Sequence, residues 1–243
     1  MKLLGSLLDA VFVLRCVGCD VPLATARGAT AEALAFCDLC AATCNEPEPG
    51  CLVCGQELAS ILGGVSRGPC GACLATPPPY RRARWGYEYG GAVQDAIKRL
   101  KFGGREDVAG PLARAAFRLA EVGDGWDAIV PVPLHWWRLA RRGFNQATAL
   151  SHALRAVTRA PVETGWLRRK RATVAQSTLP EPRRDANVRG AFEVPRRDRV
   201  RGKAVLLVDD VVTTSATTTE CARVLRRAGA ASVDVWSVAR TLA

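Results

Sequence analysis

The sequence predicts an α/β protein with a parallel sheet flanked by helices, preceded by a small cysteine-rich module. Nine of the ten cysteines lie before residue 75, so the composition changes abruptly there. After the prolines at 77–79, apolar segments predict buried strands at 128–134, 204–208 and 233–238. Helical patterns alternate with these strands, as in parallel sheets with right-handed crossovers. We therefore divide the chain into residues 1–75 and 76–243.

The helices between the strands are predicted from apolar periodicity and from the glycines, or in one case Pro161, that follow each pattern. They cover 91–102, 111–120, 145–157 and 217–228, and Gly229 closes the last one. The apolar run at 3–14 predicts a short amphipathic helix, because it is interrupted by polar residues and is too short to span a bilayer. No small-residue cleavage site follows it, so we expect a cytoplasmic protein.

Composition and charge exclude wholesale disorder and point to an anionic partner. Of the 243 residues, 49% are hydrophobic and 23% are charged, as in globular proteins. The net charge of +11 is uneven: residues 1–75 carry 4 basic and 7 acidic side chains, and the remainder carry 30 and 16. The basic residues are mostly arginine, which suits phosphate and nucleic-acid contacts. A GC-rich coding bias would explain the excess of arginine over lysine, but not the charge asymmetry.

Eight cysteines form four CxxC pairs separated by 17, 10 and 15 residues. Each pair places two thiolates on one tight turn, and two such turns complete a tetrahedral zinc site. The pairs are Cys16/Cys19, Cys37/Cys40, Cys51/Cys54 and Cys70/Cys73. We expect two structural zinc ions, with the pairs combined either sequentially or in a cross-braced order. Four disulfides would require export, for which the chain shows no signal. Cys44 and Cys221 are interpreted as ordinary small side chains.

The segment from 205 to 217 has the features of a sugar-phosphate site. An apolar strand leads to Asp209 and Asp210, at the sheet edge where α/β proteins bind ligands. A loop of small hydroxyl residues then enters a helix, whose free N–H groups and dipole favour phosphate. The carboxylates supply acceptors for vicinal ribose hydroxyls. A ribose 5-phosphate fits this combination better than the alternative, a turn that merely caps a helix.

This segment resembles the phosphoribosyl pyrophosphate (PRPP) signature of the type I phosphoribosyltransferases. The resemblance implies a type I phosphoribosyltransferase-like fold, Mg²⁺ bound with PRPP, and catalytic contacts from Asp209 and Asp210 to the ribose. It assigns the 5-phosphate to Thr213, Thr214, Ser215, Ala216 and Thr217. Ser215 stands where the family usually has glycine. Serine there either restricts the backbone or adds a donor.

The order of motifs along the chain resembles the ComF competence-protein family, which joins a zinc ribbon to a phosphoribosyltransferase-like domain. The matching blocks are the cysteine pairs, YEYGG at 87–91, LKFGG at 100–104, PVPLH at 131–135, RGFNQA at 142–147, NVRGAF at 187–192 and the PRPP loop. The resemblance implies a role in natural transformation, and hence in handling imported single-stranded DNA. It covers nearly the whole chain.

Further residues are assigned around this loop. We expect Arg142, Gln176 and Arg189 to contact pyrophosphate or to belong to a lid over it. The lid is predicted at residues 168–192, which are polar and highly basic. An ordinary solvated loop would have the same composition. Part of a hood is expected at 87–101. Aromatic residues interleave with arginine at 81–87, 136–141 and 166–168. This pattern is typical of surfaces that bind single-stranded nucleic acid. The alternative is that the rings are buried in the hydrophobic core. Trp136, Trp137 and Arg138 are the preferred candidates.

Two functions follow. The first is a PRPP-dependent phosphoribosyltransferase, in which an amine or base attacks the anomeric carbon as pyrophosphate leaves. The second is a non-catalytic platform that senses nucleotides or binds single-stranded DNA and docks a competence helicase or another DNA-uptake protein. In either case we expect a cytoplasmic protein, peripheral to the inner face of the membrane where it joins a DNA-uptake complex.

Overall fold

The computed structural model describes residues 14–23, 35–58, 68–120, 122–172 and 186–241. Four parallel strands form the main sheet: β1 (Arg82–Glu88), β2 (Ala128–Pro131), β5 (Ala204–Val212) and β6 (Ser232–Arg240). Their order across the sheet is β1-β6-β5-β2. The short strands β3 (Arg168–Arg169) and β4 (Phe192–Glu193) pair antiparallel. The helix predicted at 3–14 lies outside the described residues except for Leu14, and Gln176 also lies outside them.

The main helices match the predicted periodicity closely. The described helices are α1 (Asp38–Ala41), α2 (Gly71–Ala75), α3 (Gly91–Phe102), α4 (Ala109–Leu119), α5 (Trp136–Arg142), α6 (Gln146–Thr158), α7 (Arg197–Val200) and α8 (Ala216–Arg227). Helices α3, α4 and α6 bury apolar faces in a core on one side of the sheet, and α8 buries its face on the other side. The predicted α/β class, with a parallel sheet and an N-terminal cysteine module, is confirmed.

Strand β1 was not predicted, because its arginines and aromatic rings resemble a nucleic-acid surface. Trp85 and Tyr87 are buried, and Trp166 is buried elsewhere in the core. These three rings therefore pack the interior and present no stacking face. Burial along this edge strand does not follow a strict alternation, since the three residues at 85–87 are all buried, and the arginines between the apolar residues obscure the strand in the sequence.

The first cysteine segment packs on the start of α3. The Thr43 hydroxyl accepts a hydrogen bond from the Ala92 N–H at 3.0 Å, and the Phe36 ring meets Tyr87 edge-on at 6.0 Å. Gly91 has a φ of +47°, and a Cβ there would lie 2.2 Å from the Thr43 carbonyl oxygen. Glycine is therefore required where the cysteine segment touches the helix.

The second cysteine segment covers part of the free edge of β1. The Ala83 N–H donates to the Val53 carbonyl oxygen at 2.7 Å. The Arg240 guanidinium donates to the Cys54 carbonyl oxygen at 3.1 Å and lies 4.6 Å from the centre of the Trp85 ring. These contacts satisfy and shield an edge strand that would otherwise expose unpaired backbone groups.

Asp234 organises the end of the sheet opposite the ligand loops. Its buried carboxylate accepts two hydrogen bonds from Arg81, at 3.0 and 2.6 Å, and one from the Trp126 indole at 2.9 Å. Arg82 lies 3.7 Å away. Arg81 and Arg82, which the sequence offered as nucleic-acid contacts, are therefore partners of a buried carboxylate.

Replacing Asp234 by asparagine is expected to lower the free energy of unfolding by about 2–3 kcal/mol. The isosteric amide removes the negative charge from a buried site and leaves the bidentate arginine without its partner. Chemical denaturation measures the change, and Asp124→Asn on the exposed loop nearby is the matched control. Equal stability of the two variants would contradict a structural role for this carboxylate.

No helix among the described residues is long and apolar enough to cross a membrane.

Candidate functional site

The eight paired cysteines form two clusters, and in each cluster the sulfurs lie within 4.8 Å of one another. One cluster contains Cys16, Cys19, Cys37 and Cys40, and the other contains Cys51, Cys54, Cys70 and Cys73. The pairs therefore combine sequentially, and the cross-braced alternative is wrong. Cys44 stands outside the first cluster and donates its thiol hydrogen to the Cys40 carbonyl oxygen.

The donor set of each cluster fits a tetrahedral metal ion. The sulfurs of Cys19 and Cys37 lie 3.7 Å apart, as do those of Cys54 and Cys70, close to the edge of about 3.8 Å implied by metal–sulfur bonds of about 2.3 Å. Burial acts to raise the pKa of the Cys16 and Cys51 thiols, but backbone N–H donors around each turn lower these values to about 7 and about 6. One thiolate in each cluster is thus stabilised before any metal binds, whereas burial and contact with the other thiols raise the pKa of Cys40 and Cys73. Two sites for structural metal ions are supported, as the zinc prediction requires.

The acidic pair lies in the last part of β5, beyond the end of its neighbour β2. Pairing between β2 and β5 stops at Val208, whereas β5 continues beside β6 as far as Val212. Asp209 and Asp210 are consequently half-buried at the edge of a crevice rather than covered by another strand. The predicted position at the carboxyl edge of the sheet is where a ligand would reach both carboxylates.

A lysine from α3 neutralises one of these carboxylates. Lys101 Nζ lies 2.9 Å from Asp210 Oδ2, and the two side chains are 22% and 14% exposed. Burial opposes the lysine charge, but the carboxylates raise the pKa of Lys101 above its usual value. Burial and the adjacent Asp210 charge raise the pKa of Asp209 to about 7. The charge of the acidic pair therefore changes near neutral pH.

The loop from 213 to 217 leads into the N-terminus of α8 and lines a cavity with the acidic pair. Ser215 is the N-cap of α8 and has a φ of +61° and a ψ of 0°. Serine here keeps the left-handed backbone that glycine adopts without strain, and its side chain makes no capping hydrogen bond. The backbone path of the loop is therefore retained at a conformational cost.

Replacing Ser215 by glycine is expected to raise the free energy of unfolding by about 0.5–1 kcal/mol. Relief of the left-handed strain exceeds the extra chain entropy of glycine in the unfolded state. Chemical denaturation measures the gain, and Ser215→Ala separates the hydroxyl from the backbone effect. Alanine should match serine, and a gain with alanine equal to that with glycine would contradict the strain argument.

The cavity has a volume of about 280 Å³ and is rich in positive charge. Arg138, Arg142 and Arg169 line it together with Lys101. Arg142, for which a pyrophosphate contact is predicted from the sequence, is therefore one of the lining residues. Arg189 lies on an exposed segment and is not among the described residues that line the cavity.

Residues missed by the sequence argument complete the wall of the cavity. The Gln146 side chain is 2% exposed, its carbonyl oxygen accepts from Arg142 at 3.2 Å, and its amide nitrogen has no partner among the described residues. In the sequence, this glutamine belongs to the motif at 142–147, where capping and packing of the helix explain it as well as a role in the site does. Asn145 caps α6 through the Ala147 N–H and also donates to the Val132 carbonyl oxygen. A second helix N-terminus therefore meets the cavity, and a buried donor is available to a ligand.

The preferred aromatic candidates lie on α5, beside this cavity. Trp136 is 72% exposed and Trp137 is 39% exposed, unlike the buried tryptophans of the core. The Arg138 guanidinium lies 5.4 Å from the centre of the Trp137 ring. These side chains present stacking surface and positive charge to solvent.

Relatives of this chain are found among DNA-utilisation and competence proteins. It is 35% identical over 237 residues to DNA utilization protein YhgH of Escherichia coli K12, spanning 93% of this chain and 97% of that protein. It is 31% identical over 199 residues to competence protein F of Haemophilus influenzae, spanning 79% and 85%. The chain belongs to the competence protein F family. The resemblance seen in the motifs is confirmed. Residues of the blocks at 87–91, 100–104, 131–135 and 142–147 line the cavity together with the loop at 213–217.

The other comparisons add little. No family model matches the chain. A glutamine PRPP amidotransferase from Bacillus subtilis, solved with ADP and GMP, aligns at 24% identity and a TM-score of 0.37. The alignment covers 59% of this chain and 27% of that one.

Proposed function

We propose that this protein binds PRPP or a closely related phosphoribosyl ligand in the cavity beside β5. The observation that carries the proposal is the convergence of three chemistries on one cavity. These are the acidic pair at 209–210, the helix N-terminus with its hydroxyl loop at 213–217, and the cations at 101, 138, 142 and 169. The cavity of about 280 Å³ is near the lower end of small-molecule sites, about 300 Å³.

Each part of the ligand has a matching part of the cavity. The N–H groups at the start of α8 suit the 5-phosphate, and the carboxylates suit the vicinal hydroxyls. The arginines and the unpartnered Gln146 amide supply donors for pyrophosphate oxygens. Mg²⁺ bound with the ligand would neutralise phosphate charge, and Asp209 and Asp210 are the carboxylates lining the cavity that would hold it.

The test is calorimetric titration of metal-loaded protein with PRPP and Mg²⁺, with ribose 5-phosphate and pyrophosphate as partial ligands. We expect PRPP to bind more tightly than either part, because it engages both ends of the cavity. Absence of PRPP binding under conditions in which the protein is folded would overturn the proposal. Pyrophosphate release in the presence of added bases or amines then separates a transferase from a binding platform.

A second function, single-stranded DNA binding, is favoured by the exposed rings on α5. Replacing Trp136 and Trp137 by alanine is expected to weaken binding of oligodeoxythymidine at least about 10-fold, because base stacking contributes about 1–3 kcal/mol per base. Fluorescence anisotropy at several salt concentrations measures the loss. Leu74→Ala, at a residue 68% exposed on α2, is the matched control. Equal loss in both variants, or none in either, would contradict a stacking role for these tryptophans.

A further inference from the structure

A groove beside the cavity combines exposed rings with arginines. It has a volume of about 480 Å³ and lies between the end of α3 and helix α5. Phe102 is 75% exposed, and the Arg142 guanidinium lies 5.2 Å from the centre of its ring. Trp137 and Arg138 form a similar pair on the opposite helix. Rings with adjacent guanidinium groups are the elements that bind single-stranded nucleic acid through its bases and phosphates together.

The groove and the phosphoribosyl cavity are not independent. Lys101, Arg138 and Arg142 line both of them. By contrast, Arg141 lines only the groove, and Arg169 lines only the cavity of these two. Arg138, Arg142 and Lys101, the last of which is paired with Asp210, therefore form a wall that the cavity and the groove share.

We propose that a phosphoribosyl ligand and a single strand bind this protein antagonistically, through competition for the shared arginines Arg138 and Arg142. The inference rests on the proposed function, since it requires both ligands to bind. A bound pyrophosphate neutralises Arg138 and Arg142, which the strand's phosphates would otherwise contact. It also places further negative charge beside the groove, so the second anion meets both a weaker attraction and a direct repulsion.

The structure also predicts which residues determine how strongly each ligand reduces the affinity for the other. Arg142 is held by Gln146 on the cavity side and by the Phe102 ring on the groove side. Replacing it by glutamine removes one shared charge, so both ligands should bind more weakly and the antagonism should shrink. Replacing Arg141 by glutamine should weaken the strand alone and leave PRPP affinity and the coupling factor unchanged.

The experiment measures oligodeoxythymidine affinity by fluorescence anisotropy with and without saturating PRPP and Mg²⁺, at matched ionic strength. The match is needed because salt alone weakens nucleic-acid binding. We expect PRPP to reduce strand affinity about 5-fold or more, within the range of coupling between linked sites. The strand should reduce PRPP affinity in calorimetry by the same factor, because linkage is reciprocal.

The outcomes separate this inference from the function on which it rests. Binding of both ligands with no mutual effect, or with increased affinity, would overturn antagonism while leaving the phosphoribosyl site in place. Equal coupling in the wild type and the Arg142→Gln variant would overturn the role of the shared wall. If PRPP fails to bind in the titration without oligonucleotide, the proposed function falls and the antagonism with it.

Discussion

Replacing Asp209 and Asp210 together by asparagine is expected to lower the affinity for Mg²⁺-PRPP at least about 100-fold. Each carboxylate that accepts a ribose hydroxyl contributes about 1.5–3 kcal/mol as a charged hydrogen-bond acceptor, and the amide retains its shape without its charge. The pair lies at the open edge of β5, so a ligand reaches both groups without displacing a strand.

The partial ligands make this prediction sharper. Ribose 5-phosphate carries the diol and should lose affinity with PRPP, whereas inorganic pyrophosphate should bind the double variant equally well or more tightly. The reason is that two negative charges beside the cavity have been removed. Asp95→Asn with Asp124→Asn, both exposed positions, is the matched double control. Full PRPP affinity in the Asp209/Asp210 variant would exclude these carboxylates from ligand binding.

The acidic pair also affects the stability of the fold, so the effect of its replacement on stability must be measured separately from the effect on ligand affinity. The pKa of Asp209 is raised to about 7 by burial and the neighbouring charge. Between about pH 4 and pH 7, Asp209 therefore holds a proton in the folded state that it has already released in the unfolded state. The free energy of unfolding that this proton contributes is lost as the pH rises through that window. In the asparagine variant the free energy of unfolding should not show this decrease. Thermal melts at pH 5 and pH 8 confirm that reduced binding does not reflect unfolding.

Removal of metal from the cysteine clusters is expected to destabilise the protein by about 5 kcal/mol and to lower the melting temperature by about 10 °C or more. The first cluster holds Phe36 against Tyr87, and the second holds Val53 against the edge of β1. Without metal the cysteine turns lose their cross-links, so these apolar contacts with the domain are lost with them.

Metal content measured with serine variants tests the pairing directly. Cys16→Ser and Cys51→Ser should each reduce the bound metal from two equivalents to one, and chelation should lower the melting temperature of the wild type. Cys44→Ser is the matched control, because this cysteine lies beside the first cluster but outside it. Loss of an equivalent in the control, or an unchanged melting temperature after complete metal removal, would contradict two structural sites.

The local parts of both sites could be predicted from the sequence because their residues are contiguous. Each CxxC turn is complete within four residues, and Asp209, Asp210 and the loop at 213–217 follow one strand without interruption. The helix at 91–102 was predicted with its observed bounds, since its apolar period and closing glycines are local signals. Strand β5 was predicted too short, because its continuation to Val212 depends on pairing with β6.

The amino-acid sequence alone determined the ligand types, the strand–loop–helix order and the family to which this chain belongs. Tertiary structure decided which CxxC turns meet and which charge faces Asp210, since Lys101 is more than a hundred residues away from it. It also decided that Trp85 is core while Trp136 is exposed. The sequence pattern gives the chemical type and the local spacing of each residue. Only packing between distant elements determines which surfaces are buried and which charged side chains meet.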